Sequence, residues 1–331
     1  MGTTADKLNK LLETKAAIKQ AIRDKGVGVS DDTVFAEYPD AIRRIETSSG
    51  EGGSDEFFNL RTQNGTNFSN LFYSYTGSEL DLSDWDTSQV IDMGSMFYNC
   101  SSLTALDLNS FNTSNVTNME FMFSNCTNLT SLNLSNFDTS NVTDMGSMFF
   151  SCGNLTTLDL SSFDTSQVTD MNGMFNNCPN LKELNISSFN TSQVTDMNSM
   201  FSYCYVLKSL DLSHFNTSNV TNIDYMFSWC NNLEELDIRN FNVNNNIEYV
   251  NCMFEGCSDL HKLRLDNCGY DTINKIINSA NFPTGQVNVD GEDINRKMYV
   301  QEANIINPDN QDERLTAPDG WEFVYVEAKE E

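Results

Sequence analysis

The side chains of this chain that could do chemistry recur at a fixed step. Asp81, Asp107, Asn133, Asp159, Asn185, Asp211, Asp237 and Arg264 form one column, spaced by 26 residues until a single insertion before the last. Cys100, Cys126, Cys152, Cys178, Cys204, Cys230 and Cys257 form another, with the same step and the same insertion. Carboxylates and amides stacked about 4.8 Å apart could bind a polysaccharide or a protein surface. They could also lend oxygens to Ca²⁺, with Asp107 and Asp159 as the candidate ligands. In water they repel by roughly 1 kcal/mol per pair, a cost that solvation tolerates and that Asn133 and Asn185 relieve. A solvated face with no ligand is the competing reading.

The cysteines read as small buried hydrophobes, which free Cys often is. Their odd total of nine argues against a full disulfide framework, although adjacent coils would bring Cys100 and Cys126 within bridging distance. Cys252 and Cys257 have no second pair at zinc spacing, and no metal centre is expected. His214 and His261 occupy repeat positions where Asn, Ser or Asp also occurs, which reads as surface. No Ser–His–Asp set, phosphate loop, dinucleotide fingerprint or His-Glu-x-x-His occurs. The chain is read as non-enzymatic, with no cofactor.

The elements that must position these columns follow from one unit, M-x-x-M-F-x-x-C-x-x-L-x-x-L-D-L-x-x-F-D/N-T-S-x-V-T-D/N. Leu106-Asp107-Leu108 alternates with period two, which predicts a short strand with the leucines inward and Asp107 outward. Phe111-Asn112-Thr113-Ser114 predicts a turn. Thr117 or Asn118 would cap a short helix, because Met119, Met122, Phe123 and Cys126 fall at i, i+3, i+4 and i+7. The Met and Phe columns therefore read as core rather than as a cofactor box. Triplets such as Asn115-Val-Thr117 read as turn and cap chemistry rather than glycosylation sites. The predicted fold is an α/β repeat, a leucine-rich-repeat solenoid of about eight 26-residue units with parallel strands and short helices.

The segment L-x-x-L-D-L-S-x-F-D-T-S-x-V-T-D-M-x-x-M-F at Leu155–Phe175 resembles the BspA-like leucine-rich-repeat family of bacterial and phage surface proteins, over residues 71–268. The resemblance implies a surface-exposed adhesion or recognition module. The end units depart from the pattern: Leu71-Phe72-Tyr73-Ser74-Tyr75 lacks the Met and the Cys, and 241–247 has lost Thr-Ser. Such degeneracy suits the caps of a solenoid.

Outside the repeats, Leu8, Leu11, Leu12, Ile18 and Ile22 make an apolar stripe on a helix predicted over 3–24, and a second helix is predicted from Asp32 to Ile45. The segment ADKLNKLLETKAAIKQAIRDKGVGVSDDTVFAEYPDAI, Ala5–Ile42 within the 1–47 module, resembles N-terminal modules of tailed-bacteriophage virion appendage proteins, the tail or head fibres. That resemblance implies docking onto virion structural proteins, and the stripe could form a homotrimer seam; a helical hairpin without a partner is the alternative. Residues 48–55 read as a flexible linker, 56–268 as the solenoid with its N-terminal cap, and 269–331 as a C-terminal cap. In that cap 285–292 and Trp321–Val326 are predicted strands, Pro318-Asp-Gly320 a turn, and Asp271–Ala280 a helix.

The net charge of −28 disfavours nucleic acid and anionic membranes as partners. Residues 1–47 carry eight basic and eight acidic groups, so all of that charge lies beyond them, and no Lys or Arg occurs between Arg61 and Lys182. No 18-residue apolar run, which would be needed to cross a bilayer, is present. With no secretory signal read at the N-terminus, the expected setting is the virion surface, where the solenoid would meet a host cell-surface polysaccharide or protein. A bacterial surface adhesin and a virion decoration protein without a ligand are the alternatives.

Overall fold

The computed structural model describes residues 66–83, 85–242 and 250–327. The described residues between 66 and 268 form a solenoid with one coil per repeat. Each coil sends its Val, both Met (Ile223 in one coil), Phe, Cys and leucines inward, and nearly all of these are buried. The phenyl rings of Phe72, Phe97, Phe123, Phe149, Phe175, Phe201, Phe227 and Phe254 form one continuous stack. Their centroids lie 5.5–5.9 Å apart and adjacent planes are within 13° of parallel. A single coil could not cover such a ring, so burial of about 1.5–3 kcal/mol per large side chain is gained only as coils stack. That is why the repeat is the folding unit.

The strand edge is as predicted in direction and register but shorter in extent. β1 (Thr157–Asp159) pairs in parallel with β2 (Glu183–Asn185). β3 (Ser209–Asp211), β4 (Glu235–Asp237) and β5 (Lys262–Arg264) form a second parallel set. The equivalent Leu80, Leu106 and Leu132 segments are not laddered strands. Five of the expected eight repeat strands form, in two sheets.

The predicted short helices do not form; this edge is a run of successive turns. In the coil at 119–126, Met119, Phe121, Phe123 and Asn125 donate their N–H groups to the next coil, to the carbonyls of Asp144, Gly146, Met148 and Phe150, at 2.7–3.0 Å. The intervening Met122, Ser124 and Cys126 bond back three residues, to Met119, Phe121 and Phe123. The alternation needs left-handed backbone twice per coil, at Phe121 (φ 56°) and Asn125 (φ 60°). Two four-residue turns space inward side chains at i, i+3, i+4 and i+7 just as a helix does, so the spacing identifies the inward side chains without identifying the backbone that carries them.

A third edge is closed by the threonine of the D/N-T-S turn. Thr165 is fully buried; its hydroxyl donates to Asn190 O (2.9 Å) and accepts Asn190 N–H (2.7 Å). Thr113, Thr139 and Thr191 do the same. One side chain thus satisfies both backbone groups of the residue beside it in the next coil, which a buried edge requires.

The solenoid ends in a cap containing α1 (Tyr270–Ser279), close to its predicted bounds. The alternating 285–292 stretch is not one strand. β6 (Val287–Val289) turns at Asp290-Gly291, both at positive φ, into the antiparallel β7 (Glu292–Ile294), because this two-residue hairpin needs left-handed backbone at both central positions. β8 (Arg296–Val300) and β9 (Trp321–Tyr325) extend the sheet in parallel beyond β5, and the Pro318–Gly320 turn precedes β9 as predicted. Buried Arg296 donates to the carbonyls of Gly285 (3.1 Å), Ser258 (2.9 Å) and Leu260, pinning the cap to the last coil. The anchor helix, its stripe of Leu8, Leu11, Leu12, Ile18 and Ile22, and the 48–55 linker lie outside the described residues.

Candidate functional site

The candidate face is the strand edge. Asp81, Asp107, Asn133, Asp159, Asn185 and Asp211 are exposed, with Asp237 and Arg264 half-buried at the C-terminal end. Their orientation has a local cause: in each of the six exposed residues, Oδ1 accepts the N–H of the residue two positions on. The distances are 3.0 Å at Asp81, Asp107 and Asp159, 3.2 Å at Asn133, 3.3 Å at Asn185 and 2.9 Å at Asp211. This Asx turn ends the strand and turns the chain toward the Phe-Asp/Asn-Thr-Ser corner. Bonds from Ser83 and Ser161 hold the Asp81 and Asp159 carboxyls below the usual carboxylate range, and Ser213 does the same for Asp211. All three are therefore firmly ionised at neutral pH. A shallow pocket opens on this face between two coils, lined by Leu132 and Leu134 at its floor and by Ser131, Asn133, Ser135, Thr157, Asp159, Ser161 and Ser162. Its walls offer hydroxyls, amides and one carboxylate, the groups that exchange hydrogen bonds with polyols.

At the C-terminal end the same column is neutralised. Arg239 Nε donates to both Asp237 oxygens (2.9 and 3.0 Å), Arg264 Nε lies 3.1 Å from Asp266 and 3.8 Å from Asp237, and Lys262 meets Glu235 at 3.1 Å. The Arg264 guanidinium also sits 5.7 Å from the centre of the Tyr299 ring. Among the described residues no group of three or more His, Cys, Asp or Glu side chains is placed to hold a metal ion. Asp107 and Asp159 come from coils that are not adjacent; Asn133 stands between them.

A second acidic column runs along the turn edge, where the spacing of the repeat suggests only helix caps. Asp92, Asn118, Asp144, Asp170, Asp196 and Asn222 are joined coil to coil by parallel backbone bridges. Their side chains accept the N–H two residues on, as Asp144 does from Gly146 (2.9 Å) and Asp196 from Asn198 (2.7 Å). Burial pushes the Asp144 and Asp196 carboxyls up, and the neighbouring Asp170 charge adds to it. The signal for this column is the D/N of V-T-D/N, which recurs once per unit.

The cysteine column is buried in the core, as expected, and the thiols have a specific task. Cys126 Sγ donates to Phe97 O at 3.2 Å, a carbonyl that also accepts the Cys100 N–H of its own coil. Cys152, Cys178, Cys204, Cys230 and Cys257 repeat the contact at 3.0–3.2 Å. Burial pushes the Cys178 and Cys257 thiols up to about 12, which removes them from thiolate chemistry near neutral pH. All nine cysteines are free, and only Cys252 is partly exposed. His214 lies near the Ile186 carbonyl (3.1 Å) and His261 near that of Asp259 (2.8 Å). In the Asn-x-Thr triplets the Asn bridges coils rather than closing its own turn: Asn115 Nδ2 donates to Ser88 O at 2.8 Å.

No curated protein matches the sequence. Similar solved structures include a leucine rich cell surface protein from Faecalibacterium prausnitzii (15% identity, 53% of this chain and 76% of that one, TM-score 0.19). An internalin, inlF, from Listeria monocytogenes matches at 12% identity over 82% and 83% of the two chains, with a TM-score of 0.26. The functional domain of InlJ from the same organism, described as including a cysteine ladder, matches at 16% identity over 70% and 58%, with a TM-score of 0.16. The model of the family described as "Mycoplasma protein of unknown function, DUF285" matches residues 66–157 and 151–268, more than half of the chain, and the chain belongs to that family.

Proposed function

We propose that the chain is a non-enzymatic display module whose strand edge recognises a cell-surface polysaccharide or protein. The observation that supports this reading is the register of the exposed column. Asp81, Asp107, Asn133, Asp159, Asn185 and Asp211 each present a side chain fixed by a bond to the backbone two residues on. Groups already oriented lose little freedom on binding, and groups repeated coil by coil suit an extended partner. On the resemblance of residues 1–47, the carrier is a tailed-phage virion, with that segment docked on virion structural proteins as a homotrimer. A bacterial cell surface is the second reading, favoured by the BspA-like motif at Leu155–Phe175.

The test is to change Asp81, Asp107, Asp159 and Asp211 together to Asn. Each Asn keeps the acceptor for the backbone N–H, and the chosen positions avoid Asp237, which Arg239 already neutralises. Adsorption to host cells should fall several-fold while the unfolding temperature drops only slightly, by the small share the ionised Asp81, Asp159 and Asp211 add at neutral pH; unchanged adsorption would sink the strand-edge reading. Mass spectrometry of purified virions and of surface-labelled bacterial envelopes then separates the two carriers.

A further inference from the structure

We propose that the turn edge of the coils at 197–257 is a second binding site, for an uncharged glycan, centred on Tyr203, Tyr225 and Trp229. These residues occupy left-handed positions of their coils, at φ 61°, 58° and 61°. Other coils place Ser95 and Asn99, Ser147 and Ser151, or Gly173 and Asn177 there. Left-handed backbone is costly for any residue with a Cβ, least so for Asn and not at all for Gly. Three bulky rings at these positions work against the fold that carries them, and such local strain gathers where a site needs it.

The core has no use for the rings. Tyr203, Tyr225 and Trp229 are 38, 43 and 40% exposed, and Tyr205 beside them 37%; these are four of the seven large apolar side chains exposed among the described residues. Phe121, the other ring at a left-handed position, is by contrast half-buried and meets Tyr98 edge-on. The Tyr203 and Trp229 rings are parallel to within 1° with centroids 6.3 Å apart, and Tyr205 stands edge-on to Tyr203 at 6.0 Å. The indole lies over Gly256, where a Cβ would come within 2.8 Å of its Cδ2. The next coil therefore keeps room for a ring lying along the surface.

The chemistry of the patch selects the ligand. Its apolar groups are all Tyr and Trp, with no exposed aliphatic side chain beside them. An aromatic face is electronegative and receives the C–H face of a pyranose ring. Half-buried Asp224 and Glu255 and exposed Asn251 flank the rings. Asp224 already accepts from the Asn251 backbone N–H and from Asn251 Nδ2, and the acceptor capacity left on the two carboxylates would pair with sugar hydroxyls. Two carboxylates repel an anionic polymer, and the missing aliphatic rim disfavours an apolar peptide. The site is independent of the strand-edge reading, because it uses a different edge of the coil.

The test titrates the full chain with dextran, mannan and cello-oligosaccharides, with hyaluronate as the anionic comparison, by calorimetry and tryptophan fluorescence. An uncharged glycan should bind and shift the emission. Tyr203→Asn and Trp229→Asn should each weaken it by roughly tenfold without lowering the unfolding temperature, since Asn stands at that position in other coils. Tyr225→Ser, which copies Ser95 and Ser199 of other coils, is a third variant should one of these fail to fold. The Asp81, Asp107, Asp159, Asp211 variant should bind glycan normally. Absence of binding by any uncharged glycan, glycan binding that survives the ring substitutions, or loss confined to a protein partner would overturn the proposal.

Discussion

The two halves of the solenoid share one interior and carry different exteriors. From residue 66 to 181 there are twelve carboxylates and no Lys or Arg; from 182 to 268 there are eleven carboxylates and five Lys or Arg. Yet the Phe123–Phe149 and Phe201–Phe227 pairs both stack at 5.7 Å, and Cys126 and Cys204 both reach the preceding coil's Phe carbonyl at 3.2 Å. The repeated core, not the surface charge, sets the coil. The outside is then free to differ, bare carboxylates at one end and carboxylates paired with Arg239, Lys262 and Arg264 at the other. Surface chemistry can therefore vary without repacking the core.

The strongest test of that equivalence is Phe123→Ala against Phe201→Ala. Each should cost about 3–5 kcal/mol through lost burial and a residual cavity, read from urea unfolding. Costs that differ by more than about 1 kcal/mol would show that the two halves do not share one core. A smaller effect is expected from the threonine edge. Thr139→Val and Thr191→Val each leave a part-buried N–H and C=O without their partner, and should cost about 0.5–1.5 kcal/mol with little change in side-chain volume. If Val is neutral at either position, the hydroxyl bridge does not hold the coils together there.

The smallest effects concern the half-buried carboxylates and carry the opposite sign. Asp144, Asp196 and Glu120 have carboxyls raised mainly by burial. Their folded state binds protons more readily than the unfolded chain, so their contribution is fully present below the ordinary carboxylate range and is lost as pH rises through their folded pKa. Asp81, Asp86, Asp138, Asp159 and Asp211 are lowered by bonds from nearby Ser groups. Their contribution is present above the ordinary range and is lost as pH falls through their folded pKa. Stability should therefore rise slightly from pH 7 toward about 5 and fall below about 3.5, on either side of the ordinary carboxylate values. Asp144→Asn and Asp196→Asn keep the turn acceptor, as Asn118 and Asn222 do in the same column, and should each add about 0.5 kcal/mol at pH 7 after solvent screening. They should also flatten the acid-side rise. Thermal melts across pH check both, and a loss of stability at pH 7 would mean that the carboxylate is needed for more than its turn.

Much of the strand-edge site was legible. Period and alternation placed Asp107 and Asp159 outward on one column, and both are exposed there. What period could not show is that each Oδ1 is committed to an N–H two residues away, because the residue type alone does not say which of its acceptors is engaged. The Tyr203, Tyr225 and Trp229 patch escaped for a related reason. At a position where other coils hold Ser or Asn, an aromatic residue reads as a lapse in the pattern until the left-handed backbone is seen.

The sequence by itself determined the 26-residue coil, the inward columns, the free buried cysteines, the charge boundary at Lys182 and the cap helix. Side-chain polarity at a fixed period decides which atoms leave water, and that is local information. Only the tertiary structure decided that Met119–Cys126 is a pair of left-handed turns, that Thr165 stands in for a backbone pair, and that β8 and β9 carry the sheet past the last repeat. In each case the deciding bonds join groups 25 to 35 residues apart in the chain. The donor's partner arrives with the next coil or the cap, so no short window on the sequence contains both ends.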